Sequence, residues 1–349
     1  MLTHTRTSLS LLTMSALALA ACDDLPRPNV TDGRGEQPRA KIVPSAGAPA
    51  PVPEDTVTLR FAWPDEVDAE VSYTLTGSAV LGAAETFTHA FSGRKVTGGW
   101  EVGEKGPLEG AEYTSAELFL RGELLAPSLA KQDGTFSGVL DAAKVHEVGL
   151  SEMRSRYEAQ GSLPLFEGGL ARTLTPAVVS RRSESIWKSM VGHWAGKTLT
   201  RGVAETISFS SPVGPASAAQ QPLDLSGEIR YVGATRCTPK EVEARCVALS
   251  LKVSADPDVM AKSVVESITN ALPEGQANRA RIEEVVKVEQ AAARREVTLV
   301  ADPNTLLPYK VVITQALDLA VSLQLDPNAP PRLQESKLDH KVERIFTYR

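Results

Sequence analysis

A cysteine at the end of an apolar run has the most distinctive chemistry near the start of this chain. Residues 9–21 are apolar or small, follow the cation Arg6, and lead through Ala20 and Ala21 into Cys22. The run is too short to span a bilayer, which needs about 20 apolar residues, but it suits the hydrophobic region of a secretion signal. The small side chains before the cysteine fit a protease cleft, and the Cys22 thiolate is a nucleophile that can accept a lipid.

The segment Leu19-Ala20-Ala21-Cys22 resembles the lipobox of bacterial lipoproteins. This resemblance implies that diacylglycerol is attached to the Cys22 thiol and that cleavage makes Cys22 the new N-terminus. An ordinary secretory leader that happens to have a cysteine after its small residues is the alternative. We expect a signal peptide over residues 1–21 and a mature protein anchored in the bacterial cell envelope, facing the periplasm.

The next residue bears on which membrane carries the anchor. In enteric bacteria an aspartate after the lipidated cysteine tends to retain a lipoprotein at the inner membrane, and Asp23 fits that pattern. The rule does not transfer safely to other lineages. The sequence therefore favours the inner membrane and leaves the outer membrane open.

A proline-rich segment follows the cysteine. Residues 23–55 contain seven prolines and almost no bulky apolar side chain. Such a segment cannot bury enough apolar surface to fold. As a coil it would span about 30 Å, and fully extended about 100 Å. We expect residues 22–55 to be a lipidated, disordered tether that holds a body of residues 56–349 clear of the membrane.

Two more cysteines, Cys237 and Cys246, lie close together in the sequence Arg-Cys-Thr-Pro-Lys-Glu-Val-Glu-Ala-Arg-Cys. In an exported protein a disulfide between them is the expected state. Closing so short a loop would stabilise the fold by roughly 2.5–3 kcal/mol in the chain-entropy model. Two inert thiols are the alternative. A metal site would need two further soft ligands at set spacing, and the sequence has none nearby.

Serine and lysine recur three residues apart at Ser92/Lys95, Ser128/Lys131 and Ser185/Lys188. This spacing marks the nucleophile of penicillin-recognising enzymes, which are also exported. Those enzymes need a Lys-Thr-Gly element as well, and residues 197–199 read Lys-Thr-Leu. Ser128 is expected in a loop and not at the start of a core helix. Because three such spacings are about what chance gives in this composition, we expect none of them to be catalytic.

The histidines occur singly along the chain, at His4, His89, His146, His193 and His340. None belongs to a His-Glu-x-x-His motif or stands at ligand spacing from a carboxylate cluster. The sequence also contains no nucleophile elbow, phosphate-binding glycine loop or dinucleotide fingerprint. We therefore predict a protein with no catalytic residues, metal or cofactor. An enzyme would require distant acids and histidines to converge in one cleft.

The charge balance is mildly acidic. The formal net charge is −6, and removal of Arg6 with the leader makes it −7 for the mature protein. No dense cluster of lysine and arginine is present, which argues against nucleic acid as the main partner and against adsorption to anionic lipid through the folded surface. Membrane contact should therefore come from the lipid on Cys22.

Alternation of apolar and polar residues predicts antiparallel strands with one buried face in both halves of the body. The alternating runs are residues 56–63, 71–76, 87–91, 247–254, 297–301, 309–314, 317–325 and 342–348. A turn at Asp302-Pro303-Asn304-Thr305 joins two of them, because proline presets φ and asparagine tolerates the backbone conformation that a turn requires. Residues 277–292 fit either a helix or, around Val286 and Val288, a strand.

Helices are predicted in the middle of the chain. Thr175-Pro176 is a favourable helix start, and the apolar stripe behind it comprises Val179, Ile186, Trp187, Met190, Val191 and Trp194. A second helix starts at Asp256-Pro257 and stops at Pro273, and a shorter one is expected over residues 151–160. Trp187, Met190 and Trp194 either pack in the core against the sheet, which we favour, or line a cavity.

These elements predict an α+β body: a mainly antiparallel sheet, curved or forming an incomplete barrel, covered by a few amphipathic helices. Either a break near residues 130–175 divides the body or both halves form one sheet. In outline the body resembles the periplasmic lipoprotein carriers of the LolA and LppX type, which implies an unclosed barrel that binds acyl chains. Residues 187–196 and 302–308 also resemble uncharacterised envelope lipoproteins of GC-rich bacteria, which implies no activity.

Two functions are expected from the sequence. The first is a non-enzymatic envelope lipoprotein that has a structural role or binds a protein partner. The second is a carrier of a lipid or other apolar ligand. An apolar cavity of several hundred Å³ between sheet and helices would favour the carrier, whereas a sheet face filled by Trp187, Met190 and Trp194 would argue against it.

Overall fold

One antiparallel sheet of eleven strands contains most of the residues that the structure describes. The computed structural model describes residues 55–77, 84–105, 124–141, 176–211, 223–271, 284–324 and 330–349. Its strands are β1 (Thr56–Thr58), β2 (Glu66–Gly77), β3 (Glu85–Val96), β4 (Gly99–Lys105), β5 (Ser128–Lys131), β6 (Phe136–Val139), β7 (Thr198–Thr200), β8 (Ala204–Ser211), β9 (Leu223–Thr235), β10 (Cys246–Ser254), β11 (Val286–Ala301), β12 (Pro308–Leu323) and β13 (Arg332–Tyr348).

The strands of both halves of the chain belong to the same sheet. Its order is β6-β5-β4-β3-β2-β13-β12-β11-β10-β9-β8, and β1 pairs with β7 in a separate two-stranded sheet. The C-terminal strand β13 joins the halves, because residues 340–348 pair with residues 69–77 of β2. The sheet is open, with β6 and β8 at its edges. The predicted antiparallel sheet is confirmed, but helices cover less of it than we expected.

Alternation along the strands sets which face of the sheet is buried. On β2, Val67, Ala69, Val71, Tyr73 and Leu75 are buried while their neighbours are exposed or half-buried. The same period of two continues across the neighbouring strands, because directly opposed residues of antiparallel strands point to one face. We call this buried side the inner face.

Two helices are described, both connecting strands. Helix α1 (Pro176–Trp187) continues into a π-helical turn (Lys188–Gly192), and α2 (Pro257–Ala271) joins β10 to β11. Helix α2 starts as predicted: the Asp256 carboxylate accepts hydrogen bonds from the backbone N–H groups of residues 258 and 259, at 2.9 and 3.1 Å. Thr175, Pro273 and the helix predicted over residues 151–160 lie outside the described residues.

Two strand predictions need correction. The run predicted as one strand over residues 56–63 leaves the strand conformation after Thr58, because the backbone N–H groups of Arg60 and Ala62 bind the carbonyl groups of Pro303 and Thr305 in a turn. Conversely, the runs 309–314 and 317–325 form the single strand β12, which ends at Leu323. Residues 286–292, ambiguous in sequence, belong to strand β11.

Candidate functional site

A charged cluster is buried on the inner face, where four adjacent strands meet helix α1. Arg344 of β13 lies directly opposite Tyr73 of β2, and Glu104 of β4 lies opposite Phe91 of β3. All four residues occupy inward positions of their strands. The side chains of Arg344 and Glu104 are 1% and 0% exposed, so the charges are out of contact with bulk water.

The cluster is held together by direct contacts between its polar groups. An Arg344 guanidinium nitrogen forms an ion pair with one Glu104 carboxylate oxygen, and the Tyr73 hydroxyl donates a hydrogen bond to the other. The guanidinium also donates to the Met190 sulfur at 3.6 Å. We call Tyr73, Glu104, Arg344 and Met190 the buried ionic cluster. Because Met190 belongs to the π-helical turn, the cluster connects the sheet to the helix.

Aromatic rings surround the arginine. The Arg344 guanidinium carbon lies 5.2 Å from the centre of the Tyr73 ring and 5.3 Å from that of Phe346. These distances are within the range of cation–π attraction. The His89 ring lies beside Tyr73, with their centroids 4.9 Å apart. The pKa of Arg344 is lowered, because the effect of burial exceeds the opposing effect of Tyr73.

The cluster is suited to fixing structure and not to turning over a substrate. The carboxylate and the guanidinium neutralise each other, and an arginine in a protein does not give up its proton. A buried ion pair contributes little net stability over apolar residues, but removing one partner leaves a buried charge that costs several kcal/mol. The geometry therefore penalises any arrangement of β4 and β13 that separates Glu104 from Arg344.

A second polar contact joins α1 to the sheet two strands away. Arg295 of β11 donates hydrogen bonds to the hydroxyls of Ser185 at 2.8 Å and Ser189 at 3.2 Å. His193 comes directly after the π-helical turn, and its pKa is lowered to about 4, first by burial and then by the cations Lys188, Arg295 and Lys197. His193 is therefore neutral at pH 7.

The three residues that could have lined a cavity are fully buried in a dense set of contacts. Trp187 packs edge-on against the rings of Phe61 and Trp63, at 5.7 and 5.4 Å between centroids, and its indole N–H donates to the Gly134 carbonyl at 2.7 Å. The Trp194 indole N–H donates to the Ser189 carbonyl at 2.9 Å. With Met190 in the ionic cluster, all three have contacts typical of core residues.

Gly134 shows how closely the helix approaches the sheet. It occupies the turn between β5 and β6 with φ of +83°, a conformation that favours glycine. A Cβ at this position would lie 3.0 to 3.2 Å from Val191, Ala195 and Phe61. The space under the helix at this point is filled.

The predicted disulfide between Cys237 and Cys246 is present in the structure. It closes the loop that joins β9 to β10. Cys246 is also paired with Thr235, the first pair of the ladder between these two strands. Cys246 is buried, while the loop presents the exposed side chain of Val242. Cys22 and Asp23 lie outside the described residues, so the lipidation site stays a prediction.

The three Ser-x-x-Lys pairs lie in three different places. Ser92/Lys95 and Ser128/Lys131 are on strands β3 and β5, where a spacing of three puts the two side chains on opposite faces. Ser128, which we expected in a loop, is the first residue of β5. Ser185 is on a helix, but its hydroxyl accepts from Arg295, while the Lys188 ammonium pairs with Glu184 at 2.7 Å. A guanidinium cannot serve as a base for a serine hydroxyl.

The described histidines do not converge on a metal site. His89 and His340 are buried on β3 and β13, and His193 lies beyond the π-helical turn. Within the described ranges no group of three or more histidine, cysteine and acidic side chains could hold a metal ion. His4 and His146 lie outside those ranges.

Sequence reasoning did not identify Glu104 or Arg344. It predicted an alternating strand over residues 342–348, where the structure has the end of β13, and passed over the arginine in that run. A charged residue at an inward position of an alternating run is the signal that could have identified it. Strand β4, in which Trp100, Val102 and Glu104 alternate, was not predicted.

Comparisons with known proteins assign no family to this chain. No family model, no curated protein and no solved structure matches this chain. Of the helices that the structure describes, none is long and apolar enough to cross a membrane.

Proposed function

We propose that this chain is a lipid-anchored protein of the bacterial cell envelope, with a non-enzymatic body that has a structural role or binds a protein partner. The observation that carries the proposal is the sequence Leu19-Ala20-Ala21-Cys22 at the end of a short apolar run. In this proposal diacylglycerol on Cys22 holds the protein in the membrane, with Asp23 favouring the inner one. Residues 22–55 are the tether.

The entry of the chain into the body supports this arrangement. The carbonyl of Asp55 accepts a hydrogen bond from the backbone N–H of Arg201 at 2.8 Å, which fixes the first described residue beside β7. The disulfide loop, the turn at residues 302–307 and the C-terminal Arg349 lie at the same end of the sheet, since each adjoins strand ends on that side. In the proposal this is the end that faces the membrane.

The packing under α1 supports a body that binds a partner at its outer surface. The inner face there is occupied by the buried ionic cluster and by the rings around Trp187, which leaves the exterior as the part that a partner can reach. The disulfide is consistent with an oxidising compartment such as the periplasm.

Acyl labelling of a matched pair of variants tests the anchor. In a bacterial host supplied with labelled fatty acid, the wild-type protein should carry label and fractionate with membranes. Cys22→Ser should lose both properties. The control is the double variant Cys237→Ser/Cys246→Ser, which removes the other thiols and should keep the label. Unchanged labelling and fractionation of Cys22→Ser would contradict the proposal.

A carrier of an apolar ligand is the second candidate, and one observation favours it. Inward positions of β12 away from α1, among them Leu317, Leu319 and Leu323, are apolar and only half-buried. An open sheet that is curved into an incomplete barrel could hold an acyl chain there. Native mass spectrometry of protein purified from its host should then show a bound lipid. Substituting Leu319→Asp should abolish lipid binding in this candidate and leave the anchored, ligand-free body unaffected in the first.

A further inference from the structure

The two edges of the sheet differ in how they are protected against pairing with another strand. Edge strands carry unpaired backbone donors and acceptors, and soluble proteins normally guard them by shortness, bulges, charges or a covering element. Strand β6 is four residues long, is irregular in its register with β5, and contacts α1. Three of those guards therefore operate at this edge.

The start of β13 is guarded by charge. Residues 332–338 of this strand pair with β12 on one side and precede the stretch that pairs with β2 on the other. They contain three charged residues in seven: Arg332, Glu335 and Lys337. Charges of both signs at such a density oppose pairing with a further strand.

Within the described residues, strand β8 has neither a register shift nor a proline, and its one charge, Glu205, faces inward. Among the described strands it pairs only with β9, over eight residues without a register shift. Its sequence, Ala-Glu-Thr-Ile-Ser-Phe-Ser-Ser, has no proline and one charge, Glu205, which is paired with Lys197 at 2.9 Å in the same chain. Thr206 and Ser208 are exposed on the outer face, and Ile207 is half-buried on the inner face.

We propose that β8 pairs antiparallel with β8 of a second copy of this chain and joins the two sheets into one. A two-fold axis at Ile207 would place the two Ile207 side chains opposite each other on the inner face and each Thr206 opposite Ser208 on the outer face. The two Glu205 residues would be four strand positions apart, about 14 Å. Next to the axis, apolar groups would thus meet apolar groups and hydroxyls would meet hydroxyls. Each Glu205, which is paired with Lys197 of its own chain, would lie opposite Phe209.

The occupant is identified as a second copy by this self-complementarity. A C2 interface requires one patch to match itself, and β8 does so without opposing like charges. The inference rests on the sheet and does not depend on the anchor. It is compatible with the anchor, because a tether of about 100 Å exceeds the length of the longest strand, about 56 Å for 17 residues.

Analytical ultracentrifugation of the full chain in detergent, across a dilution series, tests the pairing. We expect a reversible dimer for the wild type. Thr206→Lys/Ser208→Lys places two pairs of lysines directly opposite each other across the axis and should weaken the dimer about tenfold or more. Ser226→Lys/Thr298→Lys adds the same charge at exposed outer-face positions of β9 and β11 and should leave the dimer unchanged.

A distance measurement keeps the test decisive if the edge variant does not fold. Ser226 of β9 lies opposite Ser208, so a spin label at Ser226→Cys reports on the edge without altering it. The proposed pairing puts the two Ser226 Cα atoms about 16 Å apart. A monomer at all concentrations, a dimer unaffected by the β8 lysines, or a dimer in which the labels are much farther apart would overturn the proposal.

Discussion

Two arginines of the sheet, Arg344 and Arg295, contact helix α1 or the π-helical turn that follows it, and their surroundings differ. On the β13 side, Arg344 is fully buried and pairs with the equally buried Glu104. On the β11 side, Arg295 is half-buried and donates to the neutral hydroxyls of Ser185 and Ser189. The first contact places two full charges in an apolar interior. In the second, Arg295 is only half-buried, so water screens part of its charge. We therefore expect substitutions at the two contacts to change the free energy of unfolding by different amounts.

The largest effect is expected from breaking the buried pair. Glu104→Gln keeps the size of the side chain but leaves the Arg344 charge uncompensated, which should lower the free energy of unfolding by about 3–5 kcal/mol. Urea unfolding at pH 7 measures the loss. The double variant Glu104→Leu/Arg344→Met removes both charges and should lose less than Glu104→Gln. If the double variant is the less stable of the two, the uncompensated charge is not the cause.

The β11 side should respond to pH. His193 has a pKa of about 4 in the folded protein, lowered from 6.5 chiefly by burial. The unfolded chain therefore takes up the proton first, and stability should fall as the pH drops from 6.5 towards 4. Between pH 7 and pH 5 the loss from this group should be about 2 kcal/mol.

His193→Asn supplies the comparison for that prediction. The variant lacks the titrating group, so the difference between its unfolding free energies at pH 7 and pH 5 should be smaller than that of the wild type by about 2 kcal/mol. Denaturant titrations at the two pH values measure both proteins. Equal pH dependence would show that His193 titrates normally.

Arg295→Gln should have a smaller effect than Glu104→Gln. The change removes two charge-assisted hydrogen bonds to serine hydroxyls in a half-buried position, which should cost about 1–2 kcal/mol. It also removes one of the cations that lower the pKa of His193, so the imidazole proton resonances should titrate at a higher pH than in the wild type. A cost as large as that of Glu104→Gln would remove the distinction between the two contacts.

Asp256→Ala measures the contribution of a contact that lies away from both Arg344 and Arg295. The variant removes the side-chain acceptor at the start of α2 and should cost about 1 kcal/mol. Thermal unfolding measures the change, and Asp256→Asn, which keeps an acceptor oxygen, is the matched control. A loss in Asp256→Asn equal to that in Asp256→Ala would show that the cap is not the source.

The parts of the fold that were predictable from sequence are those with strong local signals. Period-two alternation identified β2, β10 and the end of β13, and Asp256-Pro257 identified the start of α2, because each pattern is set by residues close together in the chain. The stripe through Trp187 and Trp194 was recognised for the same reason. The turn at 302–305 was also predicted from its residues.

The pairing of Glu104 with Arg344 could not be predicted because the two residues are far apart in sequence. Glu104 and Arg344 are brought together only by the order of β4, β3, β2 and β13, and no local pattern specifies that order. Similarly, the end of β1 at Thr58 depends on backbone hydrogen bonds to the turn at Pro303 and Thr305. Local propensity says nothing about a partner more than two hundred residues away.

The anchor at Cys22 is the claim on which the proposed location and role depend. Mass spectrometry of the N-terminal peptide of protein purified from its bacterial host tests it most directly. We expect the mature chain to begin at Cys22, with a mass increase that corresponds to diacylglycerol on its sulfur. A chain that begins elsewhere, or a Cys22 without the lipid mass, would contradict the proposal.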